Sequence, residues 1–275
     1  MKTLTQNMVE SLLKPREPSS HKGTHGHALL MVGNVGRMGA AVIASRACLR
    51  AGAGLLTVNV PASERVILQT AIPEAMLVFR DKLTDNFANF SAAGIGCGIG
   101  TEQDSLDLLT HVLMHFKNPL LLDADALNII SENKILLRKV PPLSVITPHP
   151  KEFDRLFGLH DSIEKRIDTA IKKAKEHNLI IVLKDHKTLI TYDGEAFLNS
   201  TGNAGLAKGG SGDALSGIII AFLTQGYHPF VAAKMGVFIH GLAADITLKT
   251  QSMESMLISD VIENLGITFT QIMCE

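Results

Sequence analysis

"NAGLAKGGSGDALSGIIIAF", residues 203–222, is the stretch whose reading decides the fold. Gly205, Gly209, Gly210, Ser211 and Gly212 crowd ahead of one carboxylate, Asp213, and an apolar run follows at once. Four glycines and a serine within eight residues exceed what a helix cap requires. Glycine admits the positive-φ turns that aim successive N–H groups inward as an anion-binding nest. An apolar helix behind the loop would add its N-terminal dipole. Asp213, at the helix start, is then placed to take a proton from a hydroxyl near that anion. A capped helix with a flexible lead-in is the plainer alternative. The loop composition favours an anion hole over residues 209–212.

Working outward, strands alternate with helices over nearly the whole chain. "HALLMVG" (27–33), "LLTVNVP" (55–61), "AAGIGCGIG" (92–100), "PLLLDAD" (119–125), "LSVITPHP" (143–150) and "LIIVLKD" (179–185) are short apolar runs that end in Gly, Pro or charge. They predict buried strands. "RMGAAVIASRACLRAGAG" (37–54) and "SLDLLTHVLMHF" (105–116) predict helices. "SIEKRIDTAIKKAKEHN" (162–178) predicts an amphipathic helix with Ile163, Ile167, Ala170, Ile171 and Ala174 on its apolar face. "KTLITYDGEAFLN" (187–199) predicts a hairpin turning at Asp193-Gly194. The polar residues 1–25 read as a short helix and an irregular lead-in. Continuous apolar strands belong to a parallel sheet covered on both faces. With no repeat or linker visible, residues 1–275 read as a single α/β domain. Ligands of open α/β sheets bind at the carboxyl ends of the strands. Those ends carry 33–39, 94–100, Asp123 and Asp125, 147–152, 184–188 and 202–213.

Composition limits the partners. The chain has 275 residues, 46% hydrophobic and 19% charged, enough apolar material for a large core. A net charge of −1 offers no case for nucleic acid or a membrane surface. The N-terminus has no signal-type apolar core. Apolar stretches such as "ALSGIIIAFL" fall short of the roughly 20 residues needed to span a bilayer. Cys48, Cys97 and Cys274 form neither a disulfide nor a zinc spacing and read as ordinary reduced thiols. A soluble cytoplasmic protein, assembled as a homo-oligomer, is expected.

Other motifs leave choices open. "GNVGRMGAA" (33–41) spaces glycines as G-x-x-G-x-x-G, which suits backbone approach to an anion or tight packing equally. In "GIGCGIG" (94–100) every second residue is glycine, which is not the dinucleotide fingerprint. Asp123 and Asp125 could hold Mg²⁺ through water, or Asp125 could cap a helix. Pro148 and Pro150 stiffen the loop that carries His149. Lys184, straight after an apolar strand, could meet a phosphate as a point charge.

The G-G-S-G-D loop and its apolar helix resemble the anion-hole signature of the ribokinase-like superfamily. With "GAAVIASRACLRAGAGLLTVNVP", "LLDADALN", "ITPHPKEFDRL", "VLKDHKT" and "AAKMGVFIHGLAAD", in order over residues 22–248, the chain resembles the NAD(P)H-hydrate dehydratase family. That resemblance implies a three-layer ribokinase-like sandwich with a mostly parallel sheet. It implies repair of hydrated NADH and NADPH (NADHX and NADPHX) by phosphorylation of the ring hydroxyl and loss of phosphate. ADP, giving AMP and phosphate, is the implied bacterial co-substrate; ATP serves eukaryotic members, and Mg²⁺ comes with either. Its metal ligands stay unassigned. Carried over by residue, Ala40, Gly100, His149 and Asp213 would contact the hydrated cofactor, with Asp213 as general base. Lys184, Asp185, His186, Lys187 and Thr188 would line the nucleotide, and Gly212 would donate its N–H to nucleotide or phosphate. Four positions depart from the family pattern: Asn34, Asp185, Ala204 and Lys208. Asp185 brings negative charge to the nucleotide loop, which Lys208 could offset. The N-terminal epimerase domain of many members is missing from this length, so the epimerase is expected as a separate protein. Two other readings compete: a vitamin-precursor kinase of the same superfamily, and a non-catalytic nucleotide-binding module indifferent to Asp213.

Overall fold

The computed structural model describes residues 1–273; Cys274 lies outside the described residues. Ten strands form one sheet. They are β1 (Lys2–Leu4), β2 (His27–Met31), β3 (Leu55–Val60), β4 (Met76–Phe79), β5 (Ala92–Ile95), β6 (Leu120–Leu122), β7 (Val145–Ile146), β8 (Ile180–Leu183), β9 (Leu189–Tyr192) and β10 (Glu195–Asn199). Their order is β1-β10-β9-β8-β7-β6-β5-β2-β3-β4. Every pairing is parallel except the two made by β9. The β9–β10 hairpin turns at Asp193 (φ 44°) and Gly194 (φ 84°), two positive-φ residues as a tight hairpin demands.

The helices are α1 (Gln6–Glu10), α2 (Met38–Arg50), α3 (Arg65–Ala71), α4 (Gln103–His115), α5 (Asp125–Glu132), α6 (Pro150–Phe157), α7 (Ile163–His177), α8 (Ser211–Thr224), α9 (Pro229–Thr247), α10 (Ile258–Glu263) and α11 (Leu265–Met273). They cover both faces of the sheet. Along β2, Ala28 and Leu30 pack with α2, α8 and α9, while Leu29 and Met31 pack with α4 and α5. β8 divides likewise, Ile180 and Val182 to one side, Ile181 and Leu183 to the other. Strands buried on both faces have no polar side to show, hence their unbroken apolar runs. Each such side chain removed from water contributes about 1.5–3 kcal/mol before entropy is charged against it.

Two helices set the geometry at the site. α8 lies so close to α2 that a Cβ on Gly217 would meet the Ala44 carbonyl oxygen at 2.2 Å. α9, Pro229–Thr247, is long and apolar enough to cross a bilayer, a feature missed by the search for apolar stretches. In this fold 83% of that segment is buried, so the protein interior takes the place of lipid. Two sequence expectations need correction. The polar N-terminus supplies an edge strand, β1, because its backbone pairs with β10 whatever its side chains. Ile163 is 57% exposed, since it begins α7 before the helix reaches the sheet; Ala170 and Ala174 are buried as expected.

Strand order reverses between β2 and β5, the switch point at which open sheets form a crevice. The loops after both strands meet there. Gly33 N–H donates to the Cys97 carbonyl at 2.8 Å, and Asn34 Nδ2 to the Ile99 carbonyl at 2.8 Å.

Candidate active site

At the carboxyl ends of β6, β7 and β8, three chain segments converge on one ion pair. Lys184 Nζ donates to Asp123 Oδ1 at 2.8 Å. Asp123 is 1% exposed, and its other oxygen accepts from Ser216 Oγ at 2.8 Å. Lys184 N–H is held by the Pro148 carbonyl at 2.9 Å, which sets the stiff 147–150 loop beside the ammonium. Burial alone would pull the Lys184 pKa down; Asp123 and Glu152 outweigh it, and the ammonium ends above its ordinary value. A side chain on Gly212 would lie 3.4 Å from Lys184 Nζ and 3.5 Å from Asp123 Oδ2, so the start of α8 sits over this pair.

The glycine loop offers free amides rather than repeated positive φ. Among residues 209–212 only Gly210 takes a positive φ, 95°, and it forms the N-cap of α8. The positive φ favours glycine at 210, and a Cβ there, 2.6 Å from the terminal Ile43 Cδ1, would also have to push that methyl aside. Ser211 N–H bonds to the Lys208 carbonyl at 3.3 Å. Among the described residues, the amides of Gly209, Gly210, Gly212 and Asp213 have no partner. Unpaired N–H groups at the head of a 14-residue helix are the donors an anion needs.

Asp213 stands in the first turn of α8. Burial, and then the Asp123 charge, raise its pKa above the ordinary carboxylate value, with Lys184 and the Cys97 thiol working the other way. A carboxylate so placed is a stronger base than one in water. Glu152 is raised too, first by burial, despite Lys184 and the His149 N–H.

A cleft of about 640 Å³ opens beside the pair, lined by His149, Lys184, Asp185, His186, Thr188, Ser211 and Gly212. These are most of the residues proposed for the nucleotide, together with His149. Exposed Lys187 and Gly209 do not line it. Ala40 and Gly100 lie instead at the switch point: a Cβ on Gly98 would sit 2.9 Å from that of Ala40. Gly100 N–H donates to Asp125 Oδ2 at 2.8 Å. Asp125 is therefore neither a cap nor paired with Asp123; Ala124 precedes the helix at φ 47° and turns the two carboxylates to different tasks. Arg37 NH1 is 4.0 Å from the same Asp125 oxygen.

His149 is half-exposed but not loose. Its Nδ1 accepts from the Lys151 and Glu152 amides at 3.1 and 3.3 Å, capping α6, and Glu152 Oε2 accepts from His149 N–H at 2.9 Å. Nδ1 carries no proton in this arrangement, and burial followed by Lys184 lowers the ring's pKa. Lys208 also departs from expectation. Its ammonium donates to the Glu254 and Met256 carbonyls at 2.6 and 2.7 Å, so it ties down the loop rather than facing the anion site. Asp185 Oδ1 is occupied by the His186 amide at 2.7 Å.

Several cleft residues went unread in the sequence. Asn199 and Thr201 come from the end of β10 and the loop beyond it, and His240 and Gly241 from α9. His240 is 6% exposed, has a buried Nε2 without a hydrogen-bond partner, and is pushed down to about 4 by burial and by Lys184. Asp245 accepts from Gly202 N–H at 2.8 Å and Asn203 Nδ2 at 2.9 Å, fixing the approach to the glycine loop. "IHGLAAD" held the signal: a histidine and an aspartate in an otherwise apolar helix.

A mostly parallel sheet flanked by helices, with free amides at a helix start over a buried carboxylate, fits the ribokinase-like class. Comparison with known proteins narrows the class. A family profile described as NAD(P)H-hydrate dehydratase matches residues 28–266. The chain is 37% identical to the ADP-dependent (S)-NAD(P)H-hydrate dehydratase of Neisseria meningitidis, covering 90% of this chain and 86% of that protein. It is 36% identical to the bifunctional NAD(P)H-hydrate repair enzyme Nnr of Moorella thermoacetica, covering 95% of this chain and 52% of that one. The chain thus spans about half the length of that bifunctional relative. A crystal structure of the ADP/ATP-dependent NAD(P)H-hydrate dehydratase of Bacillus subtilis, co-crystallized with ATP/Mg²⁺, superposes with a TM-score of 0.88 at 30% identity, over 98% of each chain. The chain belongs to the NAD(P)H-hydrate dehydratase family.

Proposed function

We propose that the chain, as a single domain, catalyses ADP-dependent dehydration of NADHX and NADPHX. The observation that carries this reading is the junction of two compartments at Asp213. The cleft with Lys184 and Gly212 lies to one side, Ala40 and Gly100 at the switch point to the other. Supporting it, Asp213 directly follows Gly212, where a Cβ would lie 3.4 Å from Lys184 Nζ, and its carboxylate meets the thiol of Cys97, on the loop that joins Gly33 at the switch point.

In this reading the nucleotide occupies the cleft along 184–188. The hydrated nicotinamide reaches its ring hydroxyl toward Asp213, with Ala40 and Gly100 beside the ring and His149 at the border of the two spaces. Asp213 accepts the hydroxyl proton as the oxygen attacks the β-phosphorus of ADP, and AMP leaves. The free amides of the 209–213 turn and Lys184 take up charge on the transferring group. Loss of phosphate from the ring carbon and of a proton from its neighbour restores the double bond. The sum is NADHX and ADP to NADH, AMP and phosphate. Three carboxylates, Asp123, Asp213 and Glu152, face one ammonium here, an excess of buried negative charge that suits a hard divalent cation. Glu152 would hold Mg²⁺ through water, with Asp123 adding its charge, and the ion would supply charge neutralisation on the phosphates.

We further propose a cytoplasmic location, a homo-oligomeric assembly and an NAD(P)H-hydrate epimerase as a separate functional partner. Product analysis tests the activity. AMP and phosphate should appear in equal amounts, and only when NADHX is present. A stable phosphorylated alcohol would point instead to a vitamin-precursor kinase.

A further inference from the structure

Well outside the cleft, His111 and His115 stand one turn apart on α4 and so share a face. Their rings stack at 4.8 Å with 30° between planes. Asp85, on the segment entering β5, approaches both. Its Oδ1 lies 3.5 Å from His111 Nε2 and 4.0 Å from His115 Nδ1. The three ligand atoms all fall within 4.8 Å of one another. His111 Nε2 is a buried nitrogen with no hydrogen-bond partner, aimed into the gap. A buried imidazole nitrogen left unpaired forfeits a hydrogen bond unless something fills its lone pair. Asp85 is 70% exposed on its side chain and can close the remaining distance cheaply.

We propose that Asp85, His111 and His115 form a binding site for a borderline divalent transition metal ion, Zn²⁺ foremost, with water as fourth ligand. Two imidazoles and one carboxylate are a Zn²⁺ donor set. Tetrahedral bonds of about 2.1 Å place neighbouring ligand atoms about 3.4 Å apart. The His111–Asp85 separation of 3.5 Å already matches, the His115–Asp85 contact of 4.0 Å needs to shorten by about half an ångström, and the two imidazole nitrogens, within 4.8 Å of each other, must draw together by a side-chain rotation. Magnesium, which prefers oxygen and keeps its water, suits the donors poorly.

The location gives the ion a structural task. α4 starts just after Gly100 and runs away from the cleft, and His111 lies about 12 Å along it from Gln103. The ion would clip residues 83–91 onto α4. Phe87 of that segment already packs edge-on to Phe116 at 5.6 Å, beside His111 at 6.0 Å. At its other end the segment follows Arg80, whose guanidinium holds the Gly33 carbonyl at 2.6 Å and Asn59 Oδ1 at 3.1 Å. The proposal stands apart from the dehydratase reading, and neither outcome depends on the other.

The test is metal binding by the full-length chain without a histidine tag, using ZnCl₂ in dialysis with elemental analysis, and Co²⁺ as a spectroscopic probe. About one Zn²⁺ per chain is expected, with a rise in Tm of about 5 °C at a hundredfold excess over Kd. Co²⁺ should develop the visible absorption of a four-coordinate nitrogen–oxygen site. His111→Ala should abolish both signals, and Asp85→Asn, a surface change that leaves packing intact, should weaken binding at least about tenfold. No saturable Zn²⁺ binding, or binding unchanged in both variants, overturns the proposal.

Discussion

Replacing Asp213 with asparagine should move activity and stability in opposite directions. The amide keeps the shape of the carboxylate and cannot accept the hydroxyl proton. Loss of a positioned general base costs about 10²–10⁴ in rate, equivalent to about 3–5 kcal/mol of barrier. The fold should gain. Asp213 is raised by burial and by Asp123, so the folded state binds its proton more tightly than the unfolded chain does. Its unfavourable contribution therefore begins near the ordinary carboxylate value, grows as pH climbs through the raised value, and is full at neutral pH. Removing the charge relieves that cost, so D213N should melt at or above the wild-type Tm at neutral pH, and the gain should vanish in acid. The assay is kcat at saturating ADP and NADHX, with calorimetric titration of ADP and thermal melts over pH. ADP binding should stay within about threefold, since the N–H donors are untouched. Turnover near wild type would refute the base. Joint loss of activity, ADP binding and Tm would show Asp213 to be structural.

Lys184→Met strands Asp123, which is 1% exposed, with the Ser216 hydroxyl, the Cys97 thiol and a backbone amide but no positive charge. Urea unfolding should report a loss of about 3 kcal/mol, the low end for a broken buried pair because the ammonium opens on the cleft, and adding Asp123→Asn should recover part of it. Gly210→Ala imposes a Cβ at φ 95° and 2.6 Å from Ile43 Cδ1, and should cost about 1–3 kcal/mol in the same measurement. His240→Phe keeps the packing but removes the unpaired Nε2 from the cleft wall. The KM for ADP should rise about 5–10-fold with kcat little changed, as steady-state kinetics would show.

The sequence carried the layers of this fold because both faces of the sheet are buried, and unbroken runs such as "LIIVLKD" have no other use. It carried the glycine-rich start of α8 because free amides at a helix start favour small residues, whichever of them takes positive φ. Contacts between distant segments were not legible. Asp123 meets Lys184 across 61 residues and Ser216 across 93, and no local pattern encodes either bond. The same holds for Lys208, whose long side chain reaches the Glu254 and Met256 carbonyls. The edge strand β1 escaped notice because pairing at a sheet edge uses backbone alone. His149 was singled out for its prolines, yet its capping of α6 depends on a rotamer that spacing does not reveal.

The central claim is that this chain couples nucleotide cleavage to restoring a reduced nicotinamide. The most direct test adds purified protein to NADHX with ADP and Mg²⁺ and follows the near-ultraviolet absorbance of the dihydronicotinamide ring. Absorbance should return with ADP, to an end point equal to the NADHX supplied, and stay flat with D213N or without nucleotide. Absorbance that fails to return with either ADP or ATP, while the protein still binds nucleotide, would contradict the account.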